Sequence, residues 1–343
     1  MKEYTVAVVG ANGAVGQEML EVLEEVNFPV KKLIPLASAR SAGKTVEFKG
    51  EELTIQELTS ESFCENDVEI ALFSAGGSVS AKYAPFAVEA GAVVIDNTSH
   101  FRMDEDVPLV VPEVNPEDIA LWKKKGIIAN PNCSTIQMVQ ALKPLDDVFG
   151  IKRVDVSTYQ ATSGAGKSAM DELVNQMQAF FAFKLEDAEH KAFPHQIALN
   201  VIPQIDKFLD NGFTKEEMKM VNETSKIMHK QIPLAATCVR VPVLRGHSES
   251  VTVTFAREAD VQKVREVLSK APNIVLKDDP ENGVYPMPFD ATGKDETFVG
   301  RIRNDMFDKK ILHMFVVADN LRVGAATNAV RIAQKWIELE EAE

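Results

Sequence analysis

Cysteine is scarce in this chain: three thiols, Cys64, Cys133 and Cys238, stand far apart in 343 residues. So sparse and odd a set argues against a disulfide framework and fits reduced thiols in a cytoplasmic protein. Neither these cysteines nor the six histidines show metal-finger spacing, so no metal is expected. Long apolar runs are missing as well. The longest, from Ile311 to Ala318, falls well below the roughly 18 residues that suggest a membrane span. The first ten residues read as a strand with one preceding lysine and no small-residue cleavage site after it, so no secretory signal is expected. Positive charge is in deficit, with 37 Lys and Arg against 51 Asp and Glu and a net charge of −14. Nucleic acid and anionic membrane are therefore not expected as partners, and an anionic substrate needs a local basic pocket. Repeats and low-complexity tracts are absent too.

What is present is ordinary globular material, 45% apolar and 26% charged, long enough for two domains. The first part alternates strand-like and helical patterns. Strands are expected over 4–10, 33–37, 70–74, 93–96, 109–111 and 127–129, with helices over 13–26 and about 80–90. In the first helix Val15, Met19, Val22, Leu23 and Val26 recur at helical spacing. Such alternation predicts a parallel sheet with helices on both faces, binding ligands at the strands' carboxyl ends. The second part reads as α+β. Alternating runs over 153–160, 237–243, 250–257 and 311–319 suggest half-buried antiparallel strands, and helices are expected over 167–181, 215–229 and 260–268. Residues 1–130 are taken as one domain, 131–320 as the second, and a helix within 321–343 as returning to the first.

Gly10-Ala-Asn12-Gly13-Ala14-Val15-Gly16 follows a strand and opens a helix, as a dinucleotide loop does. Its spacing, GxxGxxG, departs from the common GxGxxG. An NAD site would place an acidic residue about 20 positions further on. Here the second strand runs instead into Ser38, Arg40 and Ser41, a set suited to a 2′-phosphate, and no carboxylate is expected nearby. Ser74, ending the strand over 70–74, completes the expected cofactor contacts. NADP is the cofactor these residues favour.

Asn130-Pro-Asn132-Cys133-Ser-Thr follows another strand, and Ile136, Val139 and Leu142 continue it as a helix starting at about Cys133 or Ser134. A cysteine at a helix N-terminus feels the positive end of the macrodipole, which favours the thiolate nucleophile. Asn130 and Asn132 suit turns and caps and could also donate to an oxyanion. Cys64 and Cys238 are expected to be buried and inert. Glu216 and Lys219, at i and i+3, share a helix face and by themselves read as a surface ion pair. Arg240 and His247, seven residues apart, would face opposite ways on one extended strand, so a bend at Pro242 or Gly246 is required.

The glycine loop, the Asn130–Thr135 motif, Tyr159-Gln160-Ala-Thr-Ser163-Gly164-Ala-Gly166 and Arg240-Val-Pro-Val-Leu-Arg-Gly-His247-Ser together resemble the aspartate-β-semialdehyde dehydrogenase family. The resemblance runs nearly end to end. It implies a Rossmann-like dinucleotide-binding domain, an α+β catalytic and dimerisation domain, and a homodimer. It also implies NADPH-dependent reductive dephosphorylation of L-aspartyl-4-phosphate to aspartate semialdehyde, feeding lysine, diaminopimelate, methionine and threonine synthesis. In that family the cysteine forms a thioacyl enzyme, which splits one hard reduction into two easier steps. By position, Cys133 matches the nucleophile, His247 the general acid/base and Gln160 the residue orienting the acyl group. Arg240 matches the α-carboxylate clamp, Glu216 the amino-group ligand, and Lys219 and Arg102 the phosphate ligands. Ser163, Gly164 and Asn320 match cofactor contacts, though other branches carry glutamine at Asn320. Rivals are N-acetyl-glutamyl-phosphate reductase, which should not need Glu216, and glyceraldehyde-3-phosphate dehydrogenase, disfavoured by Arg40. A silent nucleotide-binding homologue is the rival outside catalysis, free to lose Cys133 or His247.

Overall fold

The structure, a computed structural model, describes residues 2–342. The chain packs as two units, one running up to Asn132 and resuming at Ala325, the other comprising Cys133–Gly324.

The first unit begins with β1 (Tyr4–Val9), a wholly apolar or buried run that suits a central parallel strand. It continues through α1 (Ala14–Glu25), β2 (Val30–Ala37), the antiparallel hairpin β3 (Thr45–Phe48) and β4 (Glu51–Thr54), and β5 (Gln56–Glu57). Then follow α2 (Ser62–Glu65), β6 (Ile70–Phe73), α3 (Gly77–Glu89), β7 (Val93–Asp96) and β8 (Ile127–Ala129). The main sheet has the order β5-β2-β1-β6-β7-β8, parallel throughout. From β1 the chain moves to β2 on one side and later to β6 on the other, so β1 is the topological switch. Right-handed crossovers in opposite directions place α1 and α3 on opposite faces.

The second unit opens with α4 (Cys133–Phe149), β9 (Ile151–Gln160), α5 (Lys167–Phe181), α6 (Lys215–Ile227), β10 (Leu234–Arg240) and β11 (His247–Phe255). It closes with α7 (Val261–Ser269), β12 (Ile274–Leu276), α8 (Pro288–Ala291), β13 (Thr297–Asn304) and β14 (Ile311–Ala318). The six-stranded sheet has the order β10-β9-β11-β14-β13-β12. Helices α4, α6 and α7 pack on it. Every α4 residue from Ser134 to Leu142 is buried, so this helix is core on all sides. Along β9 the pattern alternates, with Tyr159 exposed and Thr158 and Gln160 buried.

The chain ends with α9 (Thr327–Ala342), which belongs to the first unit and stacks Trp336 edge-on to Tyr4 and Trp122.

Some expectations need correction. Residues 109–111 form only an isolated bridge, Leu109 to Ala129, because Pro108 and Pro112 flank them and lack donors. The strand expected over 237–243 starts earlier and stops at Arg240, two residues before Pro242. The second sheet is mixed: β9 and β10 run parallel, because the long connection through α5 and α6 brings the chain back to the same end. Strands β12 and β13 carried too short or irregular a pattern to be read. Cys64 is exposed, since its neighbour Phe63 takes the core-facing position of the single turn α2.

Candidate active site

In the first unit the glycine loop sits at the carboxyl end of β1. Gly10 has φ +91°, and a Cβ there would meet the Ala75 nitrogen at 3.1 Å. A Cβ on Gly16 would lie 2.2 Å from the Gly10 carbonyl oxygen, so the helix start packs directly on the turn. The first-turn amides of α1, from Ala14, Val15 and Gly16, lack intrahelical acceptors by position and suit a pyrophosphate. A cavity of about 480 Å³ opens there, lined by Gly10, Asn12, Gly13, Ser38, Arg40, Ser41 and Ser74. Asn12 Nδ2 donates to Ser41 Oγ at 2.9 Å, tying the glycine loop to the second-strand loop. Arg40 is exposed at this cavity. Glu57 lines the same wall, paired in register with Ala37. The sequence reading missed this carboxylate because it arrives on a different strand, 17 residues beyond Arg40 in a chain of 343. Glycines, hydroxyls and a guanidinium around such a cavity fit a dinucleotide with a 2′-phosphate.

Arg102, also in the first unit, is buried; its Nε donates to the Asn130 carbonyl at 2.9 Å and its Nη2 to the Asn97 carbonyl at 2.7 Å. Asn130 is fully buried and gives its amide hydrogens to Asn97 Oδ1 at 2.5 Å and the Ala325 carbonyl at 3.3 Å. With both hydrogens so engaged, it holds the turn rather than an oxyanion. Asn132, buried too, immediately precedes α4.

The second unit gathers most of the remaining expected residues. Cys133 is the first residue of α4, half-buried, and Gly324 lies against it: a Cβ on Gly324 would fall 2.6 Å from the Cys133 Cβ. Gln160 ends β9 and pairs in register with Arg240 at the end of β10. Residues 241–246 then cross the carboxyl end of β9, with the Thr162 and Ser163 amides donating to the Val243 and Leu244 carbonyls at 2.8 and 3.0 Å. Gly246, at φ +92°, completes the bend, and β11 starts down the other side of β9 with His247. This resolves the facing problem: Arg240 and His247 belong to two strands flanking β9.

Ala161 joins the pair. Its amide donates to His247 Nδ1 at 3.0 Å, while its carbonyl accepts from Arg240 Nη1 at 2.6 Å. An Nδ1 that accepts carries no proton, so the neutral ring bears its hydrogen on Nε2. That Nε2 is buried and has no hydrogen-bond partner. Burial, aided by the Arg240 charge and opposed by Glu216, pushes the His247 pKa down to about 3. Burial likewise lowers Arg240, which Glu216 and Cys133 pull back upward. A cation within reach of Cys133, at a helix N-terminus, favours the thiolate. Gly164 covers the pair closely; a Cβ there would lie 3.0 Å from Arg240 Nη1 and 3.1 Å from His247 Nε2.

A capping box of Thr214 and Glu217 starts α6 and thereby sets Glu216 and Lys219 on one turn. Glu216 accepts from Gln160 Nε2 at 3.3 Å and from Lys219 Nζ at 2.9 Å, and Lys219 also reaches Asp206 at 3.4 Å. The pair therefore forms, but Glu216 is only 5% exposed, so it is no solvated surface bridge. Gln160 Nε2 also donates to Ser134 Oγ at 2.9 Å. Asn320 Oδ1 accepts from Ser163 Oγ at 3.0 Å and from the Gly246 amide at 2.9 Å, pinning the bend before His247. Buried Cys238, held inside β10, has its thiol pKa pushed up by burial. No group of three or more His, Cys, Asp or Glu side chains able to hold a metal occurs among the described residues.

Comparison with known proteins places the whole chain among similar sequences and structures. Residues 5–122 match the semialdehyde dehydrogenase NAD binding domain, and residues 142–323 match the semialdehyde dehydrogenase dimerisation domain. An aspartate-semialdehyde dehydrogenase from Campylobacter jejuni is 66% identical over 339 residues, spanning 99% of both chains. The solved aspartate semialdehyde dehydrogenase II of Vibrio cholerae, complexed with ASA, superposes with a TM-score of 0.94 at 51% identity, covering 98% of this chain and 99% of that one. The Candida albicans enzyme solved with NADP has a TM-score of 0.75 at 28% identity, with 98% and 99% covered.

Proposed function

The chain belongs to the aspartate-semialdehyde dehydrogenase family, and on that premise we propose that it reduces L-aspartyl-4-phosphate to L-aspartate 4-semialdehyde with NADPH, through a thioester on Cys133. The observation that carries this reading is the single cluster of Cys133, Gln160, Glu216, Arg240 and His247 built on α4, β9, α6, β10 and β11.

The Cys133 thiolate attacks the acyl carbon, forming a C–S bond and an oxyanion. Collapse breaks the bond to phosphate, which leaves and takes its proton from water. Bound NADPH supplies the hydride that reduces the thioester carbon. The C–S bond then breaks, releasing the aldehyde and restoring the thiolate. Neither collapse requires His247 to give up a proton. With Nδ1 committed to the Ala161 amide, His247 serves both tetrahedral states as a neutral Nε2–H donor to the developing oxyanion. This refines the general acid/base role expected from the motif.

Arg240 presents a buried guanidinium, one edge fixed on Ala161, to the substrate α-carboxylate. Glu216 meets the substrate ammonium, whose positive charge an N-acetylated substrate lacks. Lys219, leaving Asp206 for the substrate, and Arg102 are the phosphate ligands that the family motif implies. For the cofactor, the α1 amides take the pyrophosphate and Ser38, Arg40 and Ser41 the 2′-phosphate. Ser163, Gly164 and Asn320 take the nicotinamide end, where Asn320 Oδ1 is already occupied and its amide hydrogens are the groups available.

The protein works as a cytoplasmic homodimer in this reading. Supporting the dimer are the match to a dimerisation domain and an open sheet face with Tyr159 at 40% exposure. Its product enters lysine, diaminopimelate, methionine and threonine synthesis. The test is a phosphate-dependent assay of NADPH formation, comparing aspartate semialdehyde, N-acetyl-glutamate semialdehyde and glyceraldehyde 3-phosphate. Turnover of the first alone is expected; preference for either other substrate overturns the proposal.

A further inference from the structure

Two residues beyond His247 on the same face of β11 lies Glu249, fully buried. Neither of its carboxyl oxygens has a hydrogen-bond partner. Across the sheet it pairs with Thr158 of β9 and Val316 of β14, and Thr158 Oγ1 is also buried without a partner. Among the described residues, the ionisable group coupled to it from a neighbouring element is the Cys238 thiol of β10, and no cation bears on it. No cation here compensates a carboxylate, and a buried charge without an ionic partner is costly.

Gln137 supplies the other half. It lies one helical turn beyond Cys133 on α4, and its Nε2 donates to the carbonyls of His247 and Val316, both at 3.4 Å. Its Oε1 is buried with no partner, and Gln137 is the polar side chain that bears on the Glu249 carboxyl. The orphaned acceptor on Gln137 and the orphaned carboxyl of Glu249 complete each other only if the carboxyl carries a proton.

We propose that Glu249 is a positioning residue: as the carboxylic acid it donates to Gln137 Oε1, aims the Gln137 amide at the His247 and Val316 carbonyls, and so fixes the start of β11 against the first turns of α4. The consequence for catalysis rests on Cys133 and His247 acting as proposed above. Gln137 rises from the helix that begins at Cys133, and Glu249 sits on the strand that begins at His247. Their bond sets the spacing of nucleophile and oxyanion donor without touching substrate.

The test compares kcat and KM for the wild-type enzyme, Glu249→Gln, Glu249→Leu, Gln137→Leu and the Glu249→Leu/Gln137→Leu double variant, after circular dichroism confirms folding. A carboxamide can donate as the acid does, so Glu249→Gln should keep kcat within about threefold, while Glu249→Leu should lose about tenfold or more. KM for NADP should stay within about twofold, because the loss is one of geometry at the reacting centre. Gln137→Leu should reproduce the loss, and the double variant should be no worse than the worse single one. Wild-type kcat in either Leu variant, equal damage from Gln and Leu at 249, or losses that multiply in the double variant would overturn the proposal. Should Glu249→Leu not fold, Gln137→Leu decides alone: an unchanged kcat overturns it. Failure of the Cys133 reading would look different, as sustained phosphate-dependent turnover by Cys133→Ala.

Discussion

Replacing His247 by asparagine removes a titratable group while leaving an oxygen to accept from the Ala161 amide. The wild-type ring is held neutral in the folded state, with a pKa of about 3, whereas in the unfolded chain it titrates near 6.5. Between those values the unfolded chain binds one proton that the folded chain does not. The His247 contribution is therefore at its most favourable above pH 6.5, and folding stability declines as pH falls from there toward 3. The decline is about 1.4 kcal/mol per pH unit, or roughly 2.7 kcal/mol over two units below the unfolded value. His247→Asn lacks this term. Urea unfolding of both proteins at equal protomer concentration, from pH 7 to 4.5, should give stability curves that converge on acidification, the variant losing less. Parallel curves would refute the buried neutral ring, and with it the Nε2–H donor. The same state predicts that kcat/KM shows no limb between pH 5 and 8 that His247→Asn abolishes. The variant should instead lower kcat by about a hundredfold or more, the scale of losing an oxyanion donor.

Other substitutions probe separate parts of the account. Arg40→Ala should raise KM for NADPH much more than for NADH, and Glu57→Gln should lower KM for NADPH, since it removes the negative charge from the same cavity wall; steady-state kinetics with both cofactors reads each directly. Gly324→Ala forces a methyl to within 2.6 Å of the Cys133 Cβ, so Cys133 must shift; kcat should fall about tenfold or more, while thermal unfolding records an overpacking cost of about 1–3 kcal/mol. Glu249, whose pKa burial raises well above the usual carboxylate range, binds a proton when folded that the unfolded chain releases above 4.5, so stability is lost as pH rises from there. Glu249→Gln should therefore be more stable than wild type by a margin that widens from pH 5 to 8 in urea titrations.

Much of this architecture is written locally in the chain. The glycine loop between a buried strand and an amphipathic helix, the α4 start at Cys133, and α5 over Lys167–Phe181 follow from period, caps and breakers alone. Elements whose identity depends on distant partners were not legible. The parallel pairing of β9 with β10 is decided by what lies between them, and residues 109–111 fail as a strand because of their flanking prolines. At the site, motif order brought forward Cys133, Gln160, Arg240 and His247, and only the requirement of a bend anticipated how Arg240 and His247 meet. The tautomer of His247 depends on an alanine amide, which no side-chain pattern advertises. Glu57 and Glu249 escaped for the same reason: each matters through a neighbour supplied by another strand or helix.

The central claim, a covalent thioester on Cys133, is tested most directly by withholding phosphate. Mixed with aspartate semialdehyde and NADP alone, the enzyme should release a burst of NADPH no greater than its active sites. Acid quenching and peptide mass analysis should then find an aspartyl adduct on the peptide containing Cys133, discharged when phosphate is added and absent from Cys133→Ala, which should still bind NADP. An adduct on another residue, or sustained phosphate-dependent turnover by Cys133→Ala, would contradict the account.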